Sequence, residues 1–194
     1  MEIKNYRNGL RDGIPVALGY FAVSFAFGME AATKGLSILQ AVLISLTNVT
    51  SAGQFSGLGI IAAGGTYIEI ALTQLVINLR YCLMSFSLAQ KLDRSASNWH
   101  RYLMAYSVTD EIFALDASLN TPLTPAYHYG ITSVAVPGWV LGTLVGAISG
   151  TLLPVFVISA LGVAIYGMFL AIIIPPARQD RTILLVVLSA MGLS

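Results

Sequence analysis

SLTNVTSAGQFSGLG, residues 45–59, lies where a plain membrane-crossing helix would otherwise run, inside an apolar segment from about Ile38 to Ala63. Thr47, Asn48, Thr50, Ser51, Gly53, Ser56 and Gly57 cluster within it. Such a stretch is poor as lipid-facing helix and good as an unwound turn that lines a cavity. The pattern predicts that residues 47–57 do not form one continuous helix. The plainer alternative is that small residues here let neighbouring helices pack closely.

The rest of the chain makes the bilayer setting clear. Its 194 residues are 56% hydrophobic and only 10% charged, and the mean hydropathy is +0.78. Soluble domains carry about 25% charged residues. The fold class is therefore all-α: a polytopic helical membrane protein with about seven hydrophobic segments, at least one of them broken or re-entrant. A net charge of +1 gives no nucleic-acid signal. Cys82 is the single cysteine and cannot form an internal disulfide. Lys4, Arg7 and Arg11 precede an apolar run containing Pro15, Gly19 and Gly28, which reads as a retained first span rather than a cleaved leader.

Working along the chain, span 1 covers about Gly13–Ala32, span 2 about Ile38–Ala63 and span 3 about Tyr67–Leu92. The polar connection KLDRSASNWHR, residues 91–101, leads to span 4, about Tyr102–Leu119. NTPLTPAY, residues 120–127, is a proline-marked loop. Span 5 is about Tyr129–Gly150 and span 6 about Leu152–Ile174, ended by PPARQDR at 175–181. The run Thr182–Ser194 would reach about 20 Å as helix, against a hydrocarbon core of about 30 Å, and so reads as cut short. The expectation is a single transmembrane domain over 1–194. The charges conflict with simple threading. If Lys4, Arg7 and Arg11 put the N-terminus in the cytoplasm, full crossings by spans 1 to 3 would put Lys91, Arg94 and Arg101 outside. A re-entrant span 2 removes that conflict.

Arg80 interrupts LVINLRYCLMSF, residues 75–86, well away from any loop signal. An arginine at mid-bilayer costs about 2.5–3.5 kcal/mol on insertion scales, so it needs a partner or a use. At about 100° per residue, Glu69, Thr73 and Arg80 fall in one sector, with Ser87 beside it. Gln74, Asn78, Tyr81 and Ser85 form a second stripe, and Leu72, Leu75, Leu79, Leu83 and Phe86 cover the remainder. Span 3 is thus expected to be an inner helix. Span 4 supplies counter-charge in Asp110, Glu111 and Asp116, with Tyr102, Tyr106, Asp110 and Phe113 on one face if the helix is continuous. The alternatives for Arg80 are a structural ion pair or a functional site; Glu111 and Asp116 could equally cap a helix end.

Enzymatic readings find little support. His100 lies in the polar connection and His128 beside a loop, and neither an H-E-x-x-H nor a Cys/His metal spacing exists. A serine site inside the membrane would need a buried histidine, and none is evident. No P-loop, cofactor or metal site is read.

Three clusters, SAGQF at 51–55, NLRY at 78–81 and TDEIFAL at 109–115, together with the opening GIPVALGY at 13–20, resemble the AzlC-like branched-chain amino-acid exporters along essentially the whole chain. The family usually places one or two small residues between the A-G and Q-F pairs, whereas Gly53 here directly precedes Gln54. Family members also generally continue past an apolar run like 182–194. The resemblance implies a proton-coupled secondary transporter in the cell inner (plasma) membrane, the large subunit beside a small hydrophobic AzlD-like protein, exporting branched-chain amino acids and possibly methionine. The residues themselves offer a kit for a zwitterion: Arg80, Asn78, Gln54, Gly53, Asn48 and Asp110 as substrate contacts, and Asp110 and Glu111 as proton carriers. A channel-like pore and a non-transporting scaffold subunit are the competing readings.

Overall fold

The computed structural model describes residues 2–150 and Ser189. Residues up to Leu152 form one compact unit, and the account below concerns that unit. Span 6 and the run Thr182–Ser194 lie outside the described residues.

The described residues form seven helices and no strand: α1 (Glu2–Thr33), α2 (Ile38–Thr47), α3 (Ser51–Ala62), α4 (Tyr67–Lys91), α5 (Asn98–Ala105), α6 (Asp110–Ser118) and α7 (Pro125–Gly150). Only α1, α4 and α7 are long and apolar enough to cross a membrane.

The core is a parallel pair, α1 against α7. Gly9 meets Gly130, Gly13 meets Val134, and Ala17, Phe21, Phe25 and Met29 meet Gly138, Gly142, Gly146 and Gly150 in turn. Both numbers climb in steps of four, so one ridge of each helix runs along the other. Glycine is what permits this approach. A Cβ on Gly138 would stand 2.7 Å from the Ala17 carbonyl oxygen, and one on Gly150 2.9 Å from that of Met29. In lipid, where apolar burial gives no drive between helices, such close backbone packing is the main source of association.

Span 2 is broken, as its composition predicts. Helix α2 starts at the Ser37–Gln40 capping box, ends at Thr47, and gives way to an extended Asn48–Thr50 before α3 begins. Ten and twelve residues span about 15 and 18 Å, half a hydrocarbon core each. Leu58 of α3 packs with Phe27 and Ala31 of α1 and Ala41 of α2, while Thr50 and Gly53 lie beside Tyr81 and Gln74 of α4. Helix α3 therefore runs antiparallel to α4, and the α2–α3 hairpin enters and leaves at the end of the bundle that holds the C-terminus of α1.

Span 4 is broken too, which the sequence reading missed. Helix α5 stops at Ala105, a turn covers 106–109, and α6 starts at Asp110. The expected shared face of Tyr102, Tyr106, Asp110 and Phe113 does not exist, because no single helix carries them. The cause is Thr109, whose hydroxyl accepts from Ile112 N (3.3 Å) and so starts a new helix. Lys91 closes the other end of α6, donating to the carbonyls of Ala117 and Leu119, both at 2.5 Å. Leu92 bridges to Leu123, and Asp93 and Ser95 face Glu2 and Asn5 of α1 across an open cavity. The α5–α6 hairpin thus opens to the N-terminal end of α1. Lys4, Arg7, Arg11, Lys91, Arg94 and Arg101 accordingly share one end, which removes the charge conflict.

Two smaller corrections concern helix limits and exposure. The loop at 120–127 yields to α7 from Pro125, a residue suited to a first helical turn. Span 3 is not an inner helix. Leu88 is its single buried residue, and Leu75, Leu79, Leu83 and Phe86 are widely exposed. It packs by a narrow stripe that runs from Gln74, Asn78 and Tyr81 to Ser85 and Leu88, with Arg80 and Lys91 reaching α6 beside it.

Candidate functional site

The tips of the two hairpins meet. Tyr106, in the α5–α6 turn, donates its hydroxyl to the Leu46 carbonyl at the end of α2 (2.5 Å). The two breaks are alike in sequence: Asn48-Val49-Thr50-Ser51 in one and Ser107-Val108-Thr109-Asp110 in the other. In each the threonine is the N-cap of the following half-helix. Two helix N-termini, each carrying partial positive charge, are therefore built into the interior from opposite ends.

Beside these tips lies Arg80. Its Nη1 pairs with Asp110 Oδ2 at 2.7 Å. Its Nη2 donates to Tyr81 Oη at 3.1 Å, with the guanidinium carbon 4.9 Å from that ring's centre. Tyr81 in turn donates to Thr50 Oγ1 at 3.2 Å. One arginine thus links the start of α6 to the start of α3. The arrangement is not enclosed as expected: the Arg80 and Asp110 side chains are 44% and 42% exposed. Helix α4 packs by one thin stripe, and position 80 lies at that stripe's edge.

The two N-termini differ electrically. Helix α6 has its own acids, Asp110 and Glu111, in the first turn. Helix α3 has none, and Thr50 makes no side-chain cap bond. Next to it, Gln74 gathers three groups: its Oε1 accepts from Asn48 (3.3 Å) and Asn78 (3.1 Å), and its Nε2 donates to the Gly53 carbonyl (2.7 Å). Asn78 Oδ1 is buried without a hydrogen-bond partner.

Of the residues picked from sequence, Arg80, Asp110, Asn78, Asn48 and Gly53 lie around these two half-helix starts. Gln54 does not join Arg80. Its amide donates to Ser45 (2.8 Å), which bonds Thr143 of α7 (2.6 Å), so it ties the hairpin to the core. Glu111 points away from Arg80 and accepts from Tyr20 of α1 at 2.9 Å, and Tyr20 also bonds Thr109. Sequence reading put Gln74 and Tyr81 on one polar stripe with Asn78, and Thr50 in the broken segment, but assigned none of them to the site, and it gave no role to Thr109 or Tyr20. The repeated Val-Thr at 49–50 and 108–109 was the available signal.

His128 is also corrected. It lies in the first turn of α7, just past the loop, and is fully buried. Its Nδ1 is 2.6 Å from Asp116 Oδ2 and its Nε2 is 2.8 Å from Ser107 Oγ. The order Ser–His–Asp resembles a hydrolase triad, but a nucleophile must reach a substrate carbonyl, and Ser107 is 1% exposed. Asp116 does not cap a helix end; it is fully buried and bonded to His128.

The AzlC protein family model matches residues 15–153, which include every residue of this site. The chain belongs to the AzlC family. It is 29% identical over 185 residues to the inner membrane protein YgaZ of Escherichia coli, covering 92% of this chain and 76% of that protein. An uncharacterized membrane protein of Archaeoglobus fulgidus is 30% identical over 172 residues, 88% of this chain and 75% of the relative. One from Helicobacter pylori is 25% identical over 153 residues, 77% of this chain and 66% of the relative. No solved structure gives a significant match. AzlC membership and these membrane-protein relatives support a role in membrane transport.

Proposed function

We propose that this AzlC-family chain is the large subunit of a proton-coupled secondary transporter that exports branched-chain amino acids, with methionine a possible further substrate. The observation that carries the reading is the Arg80–Asp110 pair at the meeting point of two half-helices. Without substrate the two charges neutralise each other, which lowers the cost of keeping them in a membrane. A zwitterionic amino acid has one group for each. Its carboxylate takes Arg80 and the acid-free N-terminus of α3. Its ammonium takes Asp110, and the unpartnered Asn78 Oδ1 is a further acceptor within the same cluster. Protonation of Asp110 or Glu111 then weakens the ammonium contact and ties release to proton uptake.

The same reading places the chain in the inner (plasma) membrane with its N-terminus in the cytoplasm. The six basic residues gathered at one end support that orientation. It also includes a small hydrophobic AzlD-like subunit, for which the widely exposed α4 offers a face.

The test is labelled leucine flux in proteoliposomes, with and without an imposed pH gradient, for the chain alone and co-purified with its small subunit. Saturable flux driven by the gradient is expected. Non-saturating flux down the leucine gradient would favour a pore. No flux in either preparation would favour a scaffold.

A further inference from the structure

We propose that His128 and Asp116 form an exchangeable proton-binding site, separate from the Arg80–Asp110 pair. The site adds to the transport reading above but does not rest on it. Both side chains are fully buried, and no cation contacts them among the described residues. Lys91, which reaches the C-terminal end of α6, is spent on the carbonyls of Ala117 and Leu119. A buried carboxylate beside a neutral imidazole would leave one uncompensated negative charge in a low-dielectric interior, which is costly. A bound proton removes it.

The surroundings can satisfy both states without moving a heavy atom. With neutral His128, Nδ1–H donates to Asp116 and Nε2 accepts from the Ser107 hydroxyl. With a second ring proton, Nε2–H donates to Ser107 Oγ instead. The Ser107 hydroxyl then turns to Thr132 Oγ1 (3.0 Å) or to the Met104 carbonyl (3.3 Å). Proton uptake is therefore a rotation of one hydroxyl, and that hydroxyl belongs to the turn whose far end starts α6 at Asp110. Asp116 Oδ1 makes no hydrogen bond, so the carboxylate keeps capacity to share the proton.

The nearest open space lies toward the N-terminal end of α1, where the residues flanking His128 in sequence line two open cavities. Tyr127 lines one of about 370 Å³ with Asp12, Arg11 and Leu119, and its hydroxyl donates to Asp12 (2.9 Å). Tyr129 lines one of about 560 Å³ with Asp93 and His100, and its hydroxyl lies 2.8 Å from His100 Nδ1. The titratable and charged groups around the pair are Tyr127 and Tyr129 of α7 and, lining the cavities they border, Glu2, Arg11 and Asp12 of α1, His100 of α5 and Asp93 before it.

The chain has two histidines, so His100→Gln isolates His128. The experiment is ¹⁵N-histidine NMR of the full-length H100Q chain in lipid nanodiscs, across about pH 5 to 9, the range in which histidine switches operate. The expected result is a ring that passes between one and two bound protons within that range. A ring in a single protonation state throughout would overturn the proposal and leave a fixed structural network. His100→Asn gives the same readout if H100Q folds poorly. No amino acid is present in this titration, so its failure is distinct from failure of leucine transport.

Discussion

Gly138 of α7 lies against Ala17 of α1 so closely that a Cβ there would stand 2.7 Å from the Ala17 carbonyl oxygen. Backbone cannot yield as a flexible side chain would. Gly138→Leu is expected to force α1 and α7 apart and cost about 1–3 kcal/mol, the usual range for overpacking. A lower midpoint of thermal unfolding in detergent checks this. Gly59, which has open space at its Cβ position, is the control and should tolerate alanine.

Arg80 uses two separate nitrogens, one for Asp110 and one for Tyr81. Lysine has a single ammonium and cannot reproduce the fork. Arg80→Lys should therefore lower leucine affinity nearly as much as Arg80→Met. Losing a charge-assisted contact of about 1.5–3 kcal/mol corresponds to about ten- to a hundredfold weaker binding. Equilibrium leucine binding is the measurement. Full retention by Arg80→Lys would mean that charge alone suffices.

Asp110 and Glu111 separate in the structure, one facing Arg80 and the other Tyr20. Asp110→Asn should remove the pH dependence of leucine flux while leaving some binding. If flux keeps its pH profile, the proton carrier is Glu111, and Glu111→Gln should then remove it.

Gln74 holds Asn48, Asn78 and the Gly53 carbonyl at once. Gln74→Leu leaves these groups without their partner, at about 1–3 kcal/mol for each one left buried and unsatisfied. The α2–α3 break should loosen, seen as faster amide exchange over residues 48–54 and a lower unfolding midpoint.

Both hairpins should return to the end they entered. In a Cys82→Ala background, Ser95→Cys and Thr121→Cys should react with a membrane-impermeant maleimide from the same side as Asn5→Cys. Lys34→Cys and Ala63→Cys should react from the other. Labelling of Ser95→Cys and Asn5→Cys from opposite sides would refute the re-entrant arrangement.

Asp93 offers a pH prediction outside the membrane. The backbone N–H of Ser95 and then its hydroxyl hold the Asp93 carboxyl below its ordinary value of 3.8. A lowered folded-state value stabilises fully above the ordinary value and is lost as pH falls through the folded one. Asp93→Asn should thus lower stability slightly at neutral pH, with the difference from the unsubstituted chain vanishing as pH falls through the folded value, as thermal melts over a pH series would show.

What the sequence determined by itself was the solvent and the first break. Composition alone requires a bilayer, and long near-continuous apolar runs, in place of short alternating ones, select helices over a barrel. The clustered Gly, Ser, Thr and Asn of 45–59 betrayed the interruption of span 2 because no continuous lipid-facing helix tolerates them. The second interruption was hidden, since AYSVTDEIF reads locally as helix, and only the packing of Tyr106 on Leu46 and of Thr109 on Tyr20 shows that the chain turns there. Tertiary structure likewise decided the partners. Helical periodicity puts Arg80 on a face of α4 but cannot say which carboxylate comes to it. It gave no reason to join Ser107, His128 and Asp116, which lie on three different segments. Those contacts are set by where two half-helices end, and that depends on the parallel glycine-lined packing of α1 and α7 that holds the hairpins in place.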